Sequence, residues 1–232
     1  MNRGLTFRFG AAILAAVALV PVAAAAQSLG GYGAGAQDRY NKRSKGITSI
    51  DEYVRELGSE DADERLEAVR HLGESKDDKA VEYLLQAVGD SDVRVKAKAI
   101  DMLGHMRATD ATPVLIQYLF LRSTDLQMKS LILAALGKIG DERAARPIGE
   151  FLQRKLDDHT KGTAVFALGE IGSPDGEGAL SWVAANDTNR TVRRLANEAL
   201  VKVQSRRAHL SAEAKEPADT FLHRDEPPPQ DE

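Results

Sequence analysis

The chain has no cysteine. Disulfides, thiolate metal sites, a cysteine nucleophile and a lipid-modified N-terminal cysteine are therefore excluded. Aromatic residues make up only 5% of it, with a single tryptophan; together with abundant Ala and Leu, this suits an all-helical chain. No stretch shows the alternation of apolar and polar residues that marks a half-buried strand. Basic residues are outnumbered, 31 against 35 acidic ones, for a net charge of −4. That balance repels nucleic acid and anionic lipid rather than attracting them. The five histidines, His71, His105, His159, His209 and His223, share no metal-ligand spacing. Beyond the N-terminus no apolar run approaches the roughly 20 residues of a membrane-crossing helix.

The ends of the chain read differently from its middle. Arg3 and Arg8 precede an uncharged apolar run from Phe9 to Val22, and Ala24-Ala25-Ala26 stands before Gln27. This is the pattern of a secretory signal peptide over residues 1–26. The other reading, a retained membrane anchor, is disfavoured by Pro21 and by the short apolar length. Removing the segment takes two arginines and no acid, leaving 29 basic and 35 acidic residues, net −6. Export without disulfides fits a bacterial periplasm. Residues 27–47 are Gly-rich and read as a flexible leader. Ser49 to Gly58 reads as a short helix, with Ser49 and Glu52 as a capping box. The tail, 206–232, holds Pro217, Pro227-Pro228-Pro229 and many acids, and reads as disordered. Phe221-Leu222 is an apolar pair within it, either incidental or a short docking motif.

Between these ends, over 48–205, one pattern recurs. With Val95 as slot 0, its equivalents are Glu64, Met128, Thr160 and Val192. Slot 8 is then Leu72, Leu103, Leu136, Leu168 and Leu200, and slot 4 is Ala68, Ala99, Ile132, Ala164 and Ala196. Slot 1 is always basic: Arg65, Lys96, Lys129, Lys161, Arg193. Three residues before slot 0 stand Asp61, Asp92, Asp125, Asp157 and Asn189. A period of about 32 residues that holds several columns at once marks a repeat architecture. Between these B helices lie A helices at about 80–88, 111–121, 144–152 and 178–185, with apolar residues spaced by three and four. Pro113 and Pro147 fall in first turns, where a missing N–H does no harm.

Each column has a physical reason. At 100° per residue, slots 0, 4 and 8 form one stripe, with slots 5 and 7 beside it, and this stripe is the core face. The Asp/Asn column caps helix N-termini, each cap worth about 1 kcal/mol. Gly73, Gly104, Gly137 and Gly169 at slot 9 are expected to supply left-handed helix ends. Val201 replaces glycine in the last copy, so that helix is expected to run on through Val203. Slot 1 projects beside the core stripe, so its five bases are expected to form a ladder, each reaching an Asp of its own or an adjacent repeat. The alternative is a basic strip for an anionic ligand, which the Asp column would neutralise.

The pattern Asp-x-x-Val-Arg-x-x-Ala-x-x-Ala-Leu-Gly-x-Ile-Gly-Asp resembles the short HEAT repeats, including those associated with phycobilisome lyases. It is carried by Asp92 to Lys96, by Ala135-Leu136-Gly137-Lys138-Ile139-Gly140-Asp141 and by Ala167 to Gly172. The likeness covers about residues 59–204, and Glu64 at slot 0 makes the first copy the most divergent. It implies an all-α solenoid of about five stacked hairpins, with B helices lining a concave face that binds other proteins. A lyase role would require a bilin-handling cytosolic partner, at odds with export.

Catalytic and cofactor chemistry find no foothold. Asp157-Asp158-His159 reads as a helix start rather than a metal site. Leu136-Gly-Lys-Ile-Gly-Asp has no preceding strand and no following Gly-Lys-Ser/Thr, so it is no phosphate loop. Asp77-Asp78 and Asp90-Ser91-Asp92 lack the spacing of a calcium loop. No Ser/His/Asp set has a recognisable elbow. Arg190, Arg193, Arg194, Arg206 and Arg207 cluster near the end and read as helix-end complements rather than a nucleic-acid site. What remains for function is the B-helix face away from the core, slots 2, 3 and 6. Its centre is small and apolar: Ser130, Leu131 and Ala134, then Gly162, Thr163 and Phe166. Its ends are charged. Leu131, Ala134 and Phe166 are thus expected to anchor a partner protein, framed by Lys98, Asp101, Arg194 and Glu198, a dry centre with a polar rim. Phe166 could instead be buried against the neighbouring B helix. The expectation is an exported, monomeric, non-catalytic scaffold or adaptor without cofactor or metal. The alternative is an accessory subunit or chaperone of an envelope enzyme.

Overall fold

The computed structural model describes residues 50–213. The expected signal peptide, the Gly-rich leader, the Ser49 cap and Phe221-Leu222 lie outside the described residues. Within them run ten helices: α1 (Ile50–Glu56), α2 (Ala62–Ser75), α3 (Ala80–Ala87), α4 (Val93–His105), α5 (Thr112–Phe120), α6 (Leu126–Ile139), α7 (Ala145–Leu152), α8 (Asp158–Ile171), α9 (Glu177–Asn186) and α10 (Arg190–Glu213). No strand occurs among the described residues. The long even-numbered helices are the B helices of the repeat, and the short odd-numbered ones are the A helices. Three 3-10 turns, Thr109–Ala111, Glu142–Ala144 and Pro174–Gly176, lead into α5, α7 and α9 and were not foreseen from periodicity.

The capping column behaves as its chemistry requires. Asp61 and Asp92 accept from the amides of Asp63 and Arg94, and Asp125 and Asp157 from those of Met128 and Thr160. Asn189 accepts from the amide of Thr191. Slots 4 and 8 are fully buried in the first four copies, and slot 5 is buried from Val69 through Val165. The shared core is therefore continuous from α2 to α10.

The slot 9 glycines need correcting. They sit inside their helices, and none has positive φ. The left-handed column is slot 12 instead: Lys76, Arg107, Gly140 and Gly172. Slot 9 glycine serves a different need, the close approach of successive B helices. A Cβ on Gly104 would come 3.0 Å from the Cα of Ala135, one on Gly137 3.0 Å from the Cα of Ala167, and one on Gly169 2.9 Å from the Cβ of Ala199. Glycine at slot 9 of one repeat thus meets alanine at slot 7 of the next, a seam that any side chain would force apart. In the last copy no helix follows among the described residues, and Val201 at slot 9 is exposed.

The seam sets the layering. B helices pack closely on one another, whereas neighbouring A helices touch only sparsely, so the B layer is the tighter, inner one. Residues 206–213, read as the start of a disordered tail, are instead helical, because α10 continues to Glu213. Arg206 donates to the carbonyl of Ile171 at 2.9 Å, and Arg207 lies 3.6 Å from Glu177, so the extension is tied back to the preceding hairpin.

Candidate functional site

Each base of the column was expected to reach an Asp of its own or an adjacent repeat, and Arg65 and Lys161 do so, through acids other than the helix caps. Arg65 makes a bidentate contact with Asp90, both bonds 2.8 Å, and Lys161 reaches Asp187 at 2.8 Å. These acids stand five residues before slot 0 of the following repeat. The Arg65 guanidinium holds the Asp90 carboxyl below the usual carboxylate range. Burial pushes Asp187 up, but the Lys161 ammonium and the Asn189 amide outweigh it and leave the carboxyl lowered. Arg193 has no following repeat among the described residues and donates instead to the carbonyls of Asp187 and Thr188. The middle of the column differs, because the position that should supply the acid is Ser123 for Lys96 and Lys155 for Lys129. Lys129 is 9% exposed with no acid partner among the described residues, and its ammonium lies 6.0 Å from the Phe151 ring centroid. Burial first, and Arg154 second, lower its pKa, with Asp125 opposing them in part.

The inner face is where the anticipated partner-binding residues lie. Phe166 on α8 is 51% exposed, so the neighbouring B helix does not bury it. Leu131, one repeat earlier, is 38% exposed, and Ala134 is half-buried. Asp101 takes Lys138 of the next helix at 2.9 Å, with Lys98 4.0 Å and His105 3.3 Å away. On the far side Lys202 pairs with Glu170 and lies 5.4 Å over the Phe166 ring, a cation–π arrangement. A groove of 550 Å³ is lined among others by His105, Lys138, Phe166, Glu170 and Arg206, while Leu131, Ala134, Lys98 and Asp101 lie outside its lining.

Arg194 and Glu198 do pair, at 2.6 Å, but they edge a separate depression at the start of α10 with Arg190 and Asn197. The side chains flanking Phe166 belong to slot 10: His105, Lys138, Glu170 and Lys202. Slot 10 projects between slots 3 and 6, so extending the same rotation by one turn would have found them. Ser130 is a second correction. Placed on the open face by rotation, it is buried, its hydroxyl 3.2 Å from that of Thr160 on α8. The close B–B approach swings slot 2 into the seam. A third feature left no signal: Trp182 on α9 is 59% exposed on the A-helix side.

Among the described residues no cluster of His, Asp or Glu could hold a metal ion. No described helix is long and apolar enough to cross a membrane. Fold and face together define a helical-hairpin solenoid. The HEAT repeats family model matches over residues 50–125 and 90–162. The fold is similar to that of the complex of CpcE and CpcF of phycocyanin lyase from Nostoc sp. PCC7120, at 21% identity and a TM-score of 0.56. That likeness covers 68% of this chain and 65% of that one, so the chain spans less than two thirds of the relative's length. An engineered protein is 20% identical with a TM-score of 0.49, over 76% of this chain and 90% of that one. No curated protein is significantly similar to the chain. Residues 50–162 thus match HEAT repeats, and the fold is similar to that of the phycocyanin lyase complex.

Proposed function

We infer that this protein is an exported, non-catalytic scaffold that binds another protein on the inner B-helix face, centred on Phe166. The observation that carries this is an aromatic ring half open to solvent between two cross-helix ion pairs, Asp101–Lys138 and Glu170–Lys202. An exposed aromatic with a charged rim is the usual form of a binding hot spot, because the ring is desolvated by a partner while the rim keeps its water. Export rests on the basic, apolar and small-residue segments of 1–26. N-terminal sequencing of the protein from its own cell envelope should begin at Gln27.

Phe166→Glu tests the face. Since the ring is half exposed, the variant should melt within about 2 °C of the parent, consistent with a surface change below ~0.5 kcal/mol. Its binding to proteins cross-linked at this face should fall by at least tenfold. A collapse of the melting temperature would make Phe166 structural and sink the reading. A second reading, an accessory subunit of an envelope enzyme, takes its support from the fold shared with the phycocyanin lyase complex. Under it, the co-purified partner brings measurable catalytic activity.

A further inference from the structure

The outer surface of α7 and α9 is unlike the rest of this acidic chain. Trp182, its single tryptophan, stands as a ridge between two depressions of 710 and 270 Å³. Arg154 and Lys155 line the smaller one and have no acidic partner among the described residues. The Arg154 guanidinium lies instead over the rings of Phe120 and Phe151, at 4.5 and 5.8 Å, beside the buried Lys129. Lys161 and Asp187 of the same depression pair with each other, and Glu150 and Asp175 edge the larger one, which leaves Arg154 and Lys155, beside an open indole, as cations without an ion-pair partner among the described residues.

We propose that the counterpart is the chain's own C-terminal segment, residues 214–232, seated across Trp182 with Pro227-Pro228-Pro229 on the indole and its carboxylates at Arg154 and Lys155. The segment carries six acidic residues against two basic ones, opposite in sign to the cluster. A run of prolines is already extended, and an indole face is a surface on which such runs pack with little entropy to lose. Connectivity supports docking within one molecule. Arg207 of α10 touches Glu177, the first residue of α9, and Trp182 is five residues farther along α9. α10 ends six residues past Arg207, so the segment starts roughly 9 Å beyond that contact at 1.5 Å per residue. Returning to Trp182 spans on the order of 25 Å, counting one helix width of about 10 Å. The fourteen residues from 214 to Pro227 reach ~45 Å when extended. A tether of this length holds the segment at an effective concentration of about millimolar, so modest contacts suffice.

Because Trp182 is the only tryptophan, fluorescence of the full chain reports this site alone. The parent should show blue-shifted emission and an acrylamide quenching constant about twofold lower than a full-length variant carrying Pro227→Ala, Pro228→Ala and Pro229→Ala. Asp225→Lys with Glu226→Lys should expose the indole similarly. Both variants leave the described helices untouched, which circular dichroism checks. Identical emission and quenching in parent and variants would overturn the proposal. So would protection that disappears on dilution, since that assigns the segment to a second copy.

Discussion

The basic column at the two ends of the stack and the same column in its middle begin with the same kind of residue and finish in different states. At the ends, Arg65 and Lys161 each meet an aspartate supplied by the next repeat. In the middle, Ser123 and Lys155 occupy that position, and Lys129 is buried without an acid. A repeat pattern therefore determines where a side chain begins, while the following repeat determines what it does. The glycine–alanine seam shows the converse. It is the same between α4 and α6, α6 and α8, and α8 and α10, so the stack holds together whether or not the ladder is complete.

The largest effect should come from the uniform part. Gly137→Val places a Cβ 3.0 Å from backbone that cannot yield, at a cost of about 2–3 kcal/mol. That corresponds to a melting temperature roughly 4–12 °C lower. Gly104→Val should lose a similar amount, and a loss at only one of these positions would break the idea of a uniform seam. Next comes a rung at the end. Asp187 is 7% exposed and takes both Lys161 and the Asn189 amide, so Asp187→Ala should cost about 1–3 kcal/mol by denaturant titration. The figure is below the full value for a buried pair because Lys161 keeps some water.

A smaller change, of opposite sign, belongs to the middle. Lys155→Asp supplies the missing acid and should stabilise the protein by up to ~1 kcal/mol, a gain that Lys129→Met must abolish. If the gain survives without Lys129, the missing rung is not what distinguishes the two regions. The smallest effect is the pH dependence, which runs in the same direction in the two regions but in different pH windows. Asp90 has a folded pKa below its unfolded one, so its contribution is present above the ordinary carboxylate range and is lost as pH falls through the depressed value. Lys129 also has a folded pKa below its unfolded one, so the unfolded chain holds more protons in the window below about 10.4. Stability therefore rises with pH through that window, and Lys129→Met should flatten the rise in alkaline denaturation curves.

Much of the fold was legible because its causes are short-ranged. Asp92, Asp125 and Asp157 announce helix starts through bonds to amides two or three residues away. Leu103, Leu136 and Leu168 announce the core face through a 3.6-residue period. Less was legible in the candidate site. Phe166 stood out as an irregularity, but Lys138 and Lys202 became its neighbours only through contacts with residues more than 30 positions away. Trp182 was a lone aromatic on an A helix, and its exposure depends on the gap left between successive A helices.

Sequence by itself determined the number of hairpins, their caps, their buried stripe and the helical class, because each follows from bonds and periodicities within one or two turns. Tertiary structure decided which aspartate answers each base, why slot 9 is glycine, and which side chains frame Phe166. Those outcomes depend on how far one hairpin rotates and how closely it approaches the next, a geometry fixed by packing between repeats and written in no single copy of the pattern.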